Sequence, residues 1–250
     1  MLFIQKEPLK SREVFESIIE ITKTDEWKNA DNNDTALLRS FFDRLDKNPI
    51  RDQLVREQHG LCAYCMKRIR PDNSMAIEHF APVSDHKDKV LDYGNMLGCC
   101  RGGSEEKIKG QKEFCCGASK KEQPITIDPR KKSLMDMIRY RKDGRIYVGS
   151  KDAELNEKLQ KDIDFILMLN GRLNKDGSLK SDTSTQIVMG RRLAYRGYKS
   201  FMDALSKKYK GNESRIKVAV RKKIDEIENM EQYPEYAGVT LYFLKRRIRG

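Results

Sequence analysis

The 250-residue chain lacks any run of about 18 apolar residues, so we expect no transmembrane helix and no membrane partner. Residues 1–8 also lack the apolar core of a secretory signal, which favours the cytoplasm, where cysteines usually stay reduced. Hydrophobic residues make up 38% of the chain, a low value for a globular protein but too high for a disordered one. Because internal repeats and clear linkers are absent too, the sequence predicts one compact unit.

Positive charge is in excess, and its distribution is uneven. The formal net charge is +12, and residues 186–250 alone hold 16 Lys and Arg against 7 Asp and Glu. A basic surface attracts polyanions through counterion release, which makes nucleic acid a candidate partner. A solvated charged surface is the alternative interpretation.

The first part of the chain, residues 1–60, is predicted to be helical. Apolar residues recur there at helical spacing, and Asp34 is suited to cap the second helix. Pro49 can be the first residue of a third helix, and Gly60 suits the C-terminal end of that helix.

The last part, residues 131–250, is predicted to contain a hairpin and a basic helical region. Asp143-Gly144 is a strong turn signal between the two apolar runs of residues 134–149. Helical periodicity then extends over residues 152–170 and 187–230.

Residues 61–130 have a different character, with more cysteine, glycine and turn residues. Met75-Ala76-Ile77 is predicted to be a short strand leading into Glu78 and His79, and Pro82 ends it. We interpret the polar residues 101–113 as an inserted, mobile loop.

Six cysteines in a protein expected in the cytoplasm indicate metal ligands better than three disulfides. Cys62 and Cys65 have the two-residue gap of a zinc knuckle, in which a tight turn directs both thiolates at one ion. Redox-active or free thiols are the alternative.

Two further ligands must come from the later pairs of adjacent cysteines. Adjacent residues rarely reach the same tetrahedral site, so each pair is expected to give one ligand. We expect these to be Cys100 and Cys116, since Gly117 allows a turn beside Cys116, while Cys99 and Cys115 remain alternatives. A closed shell of four thiolates predicts a structural zinc.

Between the cysteine pairs lie residues suited to phosphodiester hydrolysis. His79 follows Cys65 by 14 positions, and Asn95 follows His79 by 16. A neutral imidazole can activate water at pH 7, and carboxylate and amide oxygens can hold a hard cation. A structural role is the alternative for His79. His59 is expected at a helix end and His86 in a surface loop.

Four motifs resemble the HNH endonuclease family, and in particular its PtuB-type members. They are Cys-Ala-Tyr-Cys, Ile-Glu-His-Phe-Ala-Pro, Leu-Asp-Tyr-Gly-Asn-Met-Leu-Gly-Cys-Cys and Cys-Gly-Ala-Ser-Lys, all within residues 61–130. The resemblance implies an α+β fold, a mostly α-helical domain around a small zinc-stapled ββα-metal core. It implies that His79 is the general base, that Glu78 ligates a catalytic Mg²⁺ or Mn²⁺, and that Asn95 ligates this ion or orients the histidine.

The sequence also departs from the family pattern. Gly117 stands where the family often has His or Asn, and Lys120 follows at a position that is often basic, which makes it a candidate phosphate contact. In addition, Glu78 and His79 are neighbours and would face opposite sides of a regular strand, so one shared site requires a bulge or a strong twist.

The resemblance finally implies a biological setting. PtuB-type proteins act in Septu and some retron anti-phage systems beside a PtuA-like ABC-type ATPase. We therefore expect an endonuclease that cleaves nucleic acid, with DNA favoured over RNA. The alternatives are a non-catalytic zinc-ribbon module that binds nucleic acid or a partner, and a thiol redox switch.

Overall fold

The computed structural model describes residues 1–103, 114–172, 174–176, 180 and 183–249. Most of the loop predicted over residues 101–113 therefore lies outside the described residues. The helices that the structure describes include none long and apolar enough to cross a membrane.

The N-terminal region is helical, as predicted. Its helices are α1 (Arg12–Lys23), α2 (Asp25–Asn29), α3 (Thr35–Asp43) and α4 (Lys47–Glu57). The predicted cap of α3 is confirmed, because the Asp34 carboxylate accepts a hydrogen bond from the backbone N–H of Leu37 at 3.0 Å. The predicted start of α4 is wrong by two residues. Asp46 caps this helix, and Pro49 lies within its first turn, where the missing N–H of proline costs nothing.

The middle region forms a strand–strand–helix unit. Strand β1 (Met75–His79) pairs antiparallel with β2 (Met96–Cys100), with Met75 opposite Cys100 and His79 opposite Met96. The short helix α5 (Cys116–Lys120) packs against β2. The predicted strand is thus confirmed, and it extends through Glu78 and His79.

The C-terminal region contains the predicted hairpin and a helical layer. In chain order its elements are α6 (Lys132–Met135), β3 (Ile138–Tyr140), β4 (Ile146–Val148), α7 (Ala153–Lys161), a π-helical turn (Asp162–Ile166), α8 (Thr183–Lys208), α9 (Glu213–Glu228) and α10 (Ala237–Arg249). The helix predicted over 187–230 is interrupted, because Lys210 and Gly211 adopt positive φ and Asn212 caps a new helix.

One hydrophobic cluster joins the three regions. Phe41 from α3, Leu97 from β2 and Leu244 from α10 are each fully buried members of it. The described part of the chain is thus α-rich, with two small antiparallel sheets, and its strand–strand–helix unit contacts α4 and the π-helical turn.

Candidate metal centre and histidine site

Four cysteine sulfurs converge at the junction of the 62–65 turn, β2 and α5. The Sγ atoms of Cys62, Cys65, Cys100 and Cys116 all lie within 4.8 Å of one another. The Cys62–Cys116 pair is separated by 3.9 Å and the Cys65–Cys100 pair by 3.6 Å. Tetrahedral zinc with Zn–S bonds of about 2.3 Å would separate its sulfurs by about 3.8 Å. The predicted ligand set is therefore the set that could hold a metal such as zinc.

Local backbone geometry selects these four thiols. The turn at Cys62 is held by a hydrogen bond from its N–H to the Lys67 carbonyl at 2.8 Å. Neighbours in a strand face opposite sides, so Cys100 joins the cluster while Cys99 does not. At the start of α5, Cys116 has a φ of 56°, a conformation that non-glycine residues rarely adopt. All six cysteines are free of disulfides.

A buried arginine could offset the charge of a metal–thiolate centre here. Zinc with four thiolates carries a net charge of −2, which is costly to bury without a counter-charge. Arg191 of α8 is completely buried, and burial lowers its pKa, while the thiols of Cys65 and Cys116 raise it. Its Nε donates to the carbonyl of Gly144 at 2.6 Å, and its Nη2 donates to that of Leu169. The sequence could not single out Arg191, because many other arginines surround it in that region.

His79 is fixed in one orientation. Its Nε2 lies 2.8 Å from the carbonyl oxygen of Val90, and its ring packs edge-on against Phe42, with 4.8 Å between ring centroids. Burial lowers the pKa of His79, whereas the Val90 hydrogen bond and the charge of Glu122 raise it. The net effect is a lowered pKa, so the imidazole is neutral at pH 7.

The Asn95 side chain is hydrogen-bonded to the loop that contacts His79. Its Oδ1 accepts from the N–H of Ala81 at 2.8 Å. Its Nδ2 donates to the carbonyls of Ala81 and Lys89, both at 3.1 Å. The side chain is buried, so the amide acts as a clamp across residues 81–89. Metal ligation by Asn95 stays a prediction, whereas these contacts support the positioning role.

Glu78 forms a buried ion pair with Lys120. The Lys120 ammonium lies 2.9 Å from Glu78 Oε1 and donates to the carbonyl of His79 at 3.0 Å. Burial raises the pKa of Glu78, and the Lys120 charge opposes that shift. The Lys120 side chain is completely buried, so a phosphate contact, which stays a prediction, would require it to leave this pair.

Glu78 and His79 face different surroundings, as expected for neighbours in a strand. The register of β1 with β2 runs without a bulge, so Glu78 is directed at α5 while His79 is directed at the loop carrying Val90. Glu78 also lines a cleft of about 400 Å³. Phe42 lines the same cleft and packs against the His79 ring, whereas His79 itself does not line the cleft.

Positively charged side chains that the sequence analysis did not single out line the cleft and lie near it. Lys47 and Arg51 of α4 and Arg101 after β2 line the cleft beside Glu78 and Gly117. Near His79, Arg39 forms an ion pair with Glu122. These residues come from three separate segments, and only tertiary structure brings them together.

Comparison with protein-family models gives no match, and comparison with curated proteins gives none either. The residues and their geometry therefore carry the functional argument.

Proposed function

We propose that this chain is an HNH-type endonuclease that hydrolyses phosphodiester bonds in nucleic acid, with DNA as the favoured substrate. The supporting observation is the tautomer of His79. A carbonyl oxygen only accepts hydrogen bonds, so the neutral ring carries its proton on Nε2, facing Val90. The lone pair is then on Nδ1, which has no hydrogen-bond partner in the described part of the chain.

In the proposed reaction, Nδ1 of His79 takes a proton from water as the water oxygen attacks phosphorus. The bond from phosphorus to the leaving oxygen breaks, and that oxygen takes up a proton. The Val90 carbonyl keeps its bond to Nε2–H throughout and stabilises the imidazolium that forms. Asn95 contributes by fixing the loop that carries Val90.

Glu78 is the proposed protein ligand of a catalytic Mg²⁺ or Mn²⁺. Such an ion commonly uses one or two carboxylates together with water and substrate phosphate. Lys120 is paired with Glu78 Oε1, so the ion would bind through the other carboxylate oxygen, Oε2. A Cβ at Gly117 would come within 2.5 Å of Glu78 Oε2, so this glycine leaves the carboxylate room. When bound, the ion would stabilise charge on the phosphate and the leaving oxygen.

The four-cysteine centre is proposed as a structural zinc site. Cys62, Cys65, Cys100 and Cys116 come from the 62–65 turn, β2 and α5, and a shared ion would join these three segments. A four-thiolate shell leaves no open position for water, so its role is to hold β2 and α5 together.

In its biological setting, the chain is proposed to act as an effector of anti-phage defence beside a PtuA-like ABC-type ATPase. The support is the motif resemblance within residues 61–130. The outer helices are proposed as docking surfaces for that partner.

A non-catalytic zinc-binding module is the second candidate, and it too has specific support. The Asn95 amide is occupied by three backbone hydrogen bonds, and Glu78 is paired with Lys120. A protein using both side chains for architecture would bind nucleic acid through its basic surface without cleaving it.

A cleavage assay separates the two candidates. Plasmid DNA and total RNA are incubated with the protein in Mg²⁺, Mn²⁺ or EDTA, with and without the ATPase partner. We expect metal-dependent cleavage that His79→Ala abolishes and His86→Ala retains, because the His86 side chain is exposed and the Asn95 hydrogen bonds go to Ala81 and Lys89. Absence of cleavage under every condition, with zinc bound and partner present, would favour the binding module.

A further inference from the structure

A second cleft lies far from the cysteine cluster in sequence, between the hairpin turn, α8 and α10. Its volume is about 410 Å³. We call it the basic–aromatic pocket, and it is lined by Lys142, Tyr195, Tyr198, Phe243, Arg246 and Arg247.

Three aromatic rings form one wall of this pocket. The Phe243 ring centroid lies 4.7 Å from that of Tyr195 and 5.4 Å from that of Tyr198. All three side chains are partly exposed. Packing between α8 and α10 buries one side of these rings, while the pocket keeps another side open.

The surroundings of the rings are strongly positive. Arg192, Arg196 and Lys199 are exposed and follow one another at four- and three-residue spacing on α8. Like charges at this spacing destabilise a helix. Residues 186–202 contain no Asp or Glu, and the first acidic residue that follows on α8 is Asp203, four residues after Lys199. On α10, Arg247 is paired with Glu213, and Arg246 is exposed above the pocket.

We propose that the basic–aromatic pocket binds a single-stranded segment of nucleic acid. Bases would stack on the open sides of Tyr195, Tyr198 and Phe243, and phosphates would contact the cations of α8 and α10. Helix packing alone accounts for the rings, but it does not explain the exposed arginines beside them. Stacking requires unpaired bases, so the pocket favours single strands over duplexes. This binding does not depend on cleavage.

The test measures binding by fluorescence anisotropy with a labelled oligo-dT and a duplex of equal length. The protein carries His79→Ala, and Mg²⁺ is omitted, so cleavage cannot contribute. The double variant Lys142→Ala/Arg246→Ala removes two exposed cations that line the pocket. Its matched control, Arg12→Ala/Lys28→Ala, removes two exposed cations from α1 and α2.

We expect the pocket double variant to raise Kd for oligo-dT about ten-fold or more. We also expect the slope of log K against log salt to fall by about 1.4, from roughly 0.7 per lost phosphate contact in a single strand. The control should change Kd by less than about two-fold, because exposed cations outside the site make only a diffuse contribution. Equal losses for both double variants would overturn the proposal.

A third variant tests the stacking surface. Phe243→Leu keeps an apolar side chain between α8 and α10 but removes the aromatic face. We expect it to weaken oligo-dT binding about ten-fold while leaving duplex binding nearly unchanged. Thermal melting checks that the fold is intact. Equal weakening for both probes, or no oligonucleotide binding by the parent protein, would refute the assignment. Cleavage that fails while this binding persists would instead count against the endonuclease alone.

Discussion

The Nε2 atom of His79 lies 2.8 Å from the carbonyl oxygen of Val90, and this single contact fixes which ring nitrogen can act as a base. The Val90 carbonyl stays in place because Asn95 clamps the preceding loop at Ala81 and Lys89. The histidine is thus held through backbone atoms. A carboxylate in place of the Val90 carbonyl would raise the pKa of the His79 ring more than the carbonyl does. A larger fraction of the ring would then be protonated at neutral pH.

The pH dependence of cleavage should follow from this environment. Burial lowers the pKa of His79, and a base is active only when unprotonated, so activity should persist below the ordinary histidine value of about 6.5 and fall at lower pH. Glu122→Gln removes a charge that raises this pKa, so it should move the acid limb to still lower pH. The measurement is kcat/KM against pH. An acid limb above about 6.5 would contradict the assignment of His79 as base.

Adjacent cysteines should behave differently towards zinc. Cys100→Ala removes a ligand and should abolish stoichiometric zinc binding and cooperative unfolding, because three thiolates cannot close the site. Cys99→Ala changes the buried neighbour outside the cluster and should retain about one zinc per chain. Elemental analysis and thermal melting of both variants provide the measurement. Equal zinc loss in the two variants would mean that the Sγ cluster does not define the ligands.

Breaking the Glu78–Lys120 pair should cost stability. Lys120→Met leaves a buried carboxylate unpaired and should lower the free energy of unfolding by about 3–5 kcal/mol. Adding Glu78→Gln to that variant removes the orphaned charge, so part of the loss should be recovered. Urea unfolding of the two single variants and the double variant completes a double-mutant cycle, which gives the interaction energy of the pair. Strictly additive losses would show that the two side chains do not interact.

Removing the Asn95 amide should loosen the loop. Asn95→Ala loses three hydrogen bonds to buried backbone groups and should lower the free energy of unfolding by about 2 kcal/mol. In a clamping role it should reduce kcat while leaving the Mg²⁺ concentration for half-maximal activity unchanged. A large increase in that Mg²⁺ requirement would instead indicate that Asn95 is a metal ligand.

The sequence predicted local features better than distant contacts. The gap between Cys62 and Cys65 and the strand at β1 follow from nearby residues and chain geometry. That only one of Cys99 and Cys100 joins the cluster also follows from strand geometry, but which of them does so depends on which face of β2 meets the 62–65 turn. The ion-pair partner of Glu78 could not be predicted from the sequence, since the contact with Lys120 depends on how α5 packs against β2. The predicted start of α4 was wrong because the helix begins after the capping residue Asp46 and not at Pro49.

Arg191 links regions that are remote in the chain. Its guanidinium is held by the carbonyls of Gly144 and Leu169, and it provides positive charge near the thiolate centre. If the metal leaves, the thiols take up protons and become neutral, and the buried guanidinium loses that compensation. Metal binding would therefore stabilise the packed position of α8, and that packing would strengthen metal binding by the same coupling free energy. A ligand that holds α8 in position would accordingly tighten zinc binding at a site it never touches.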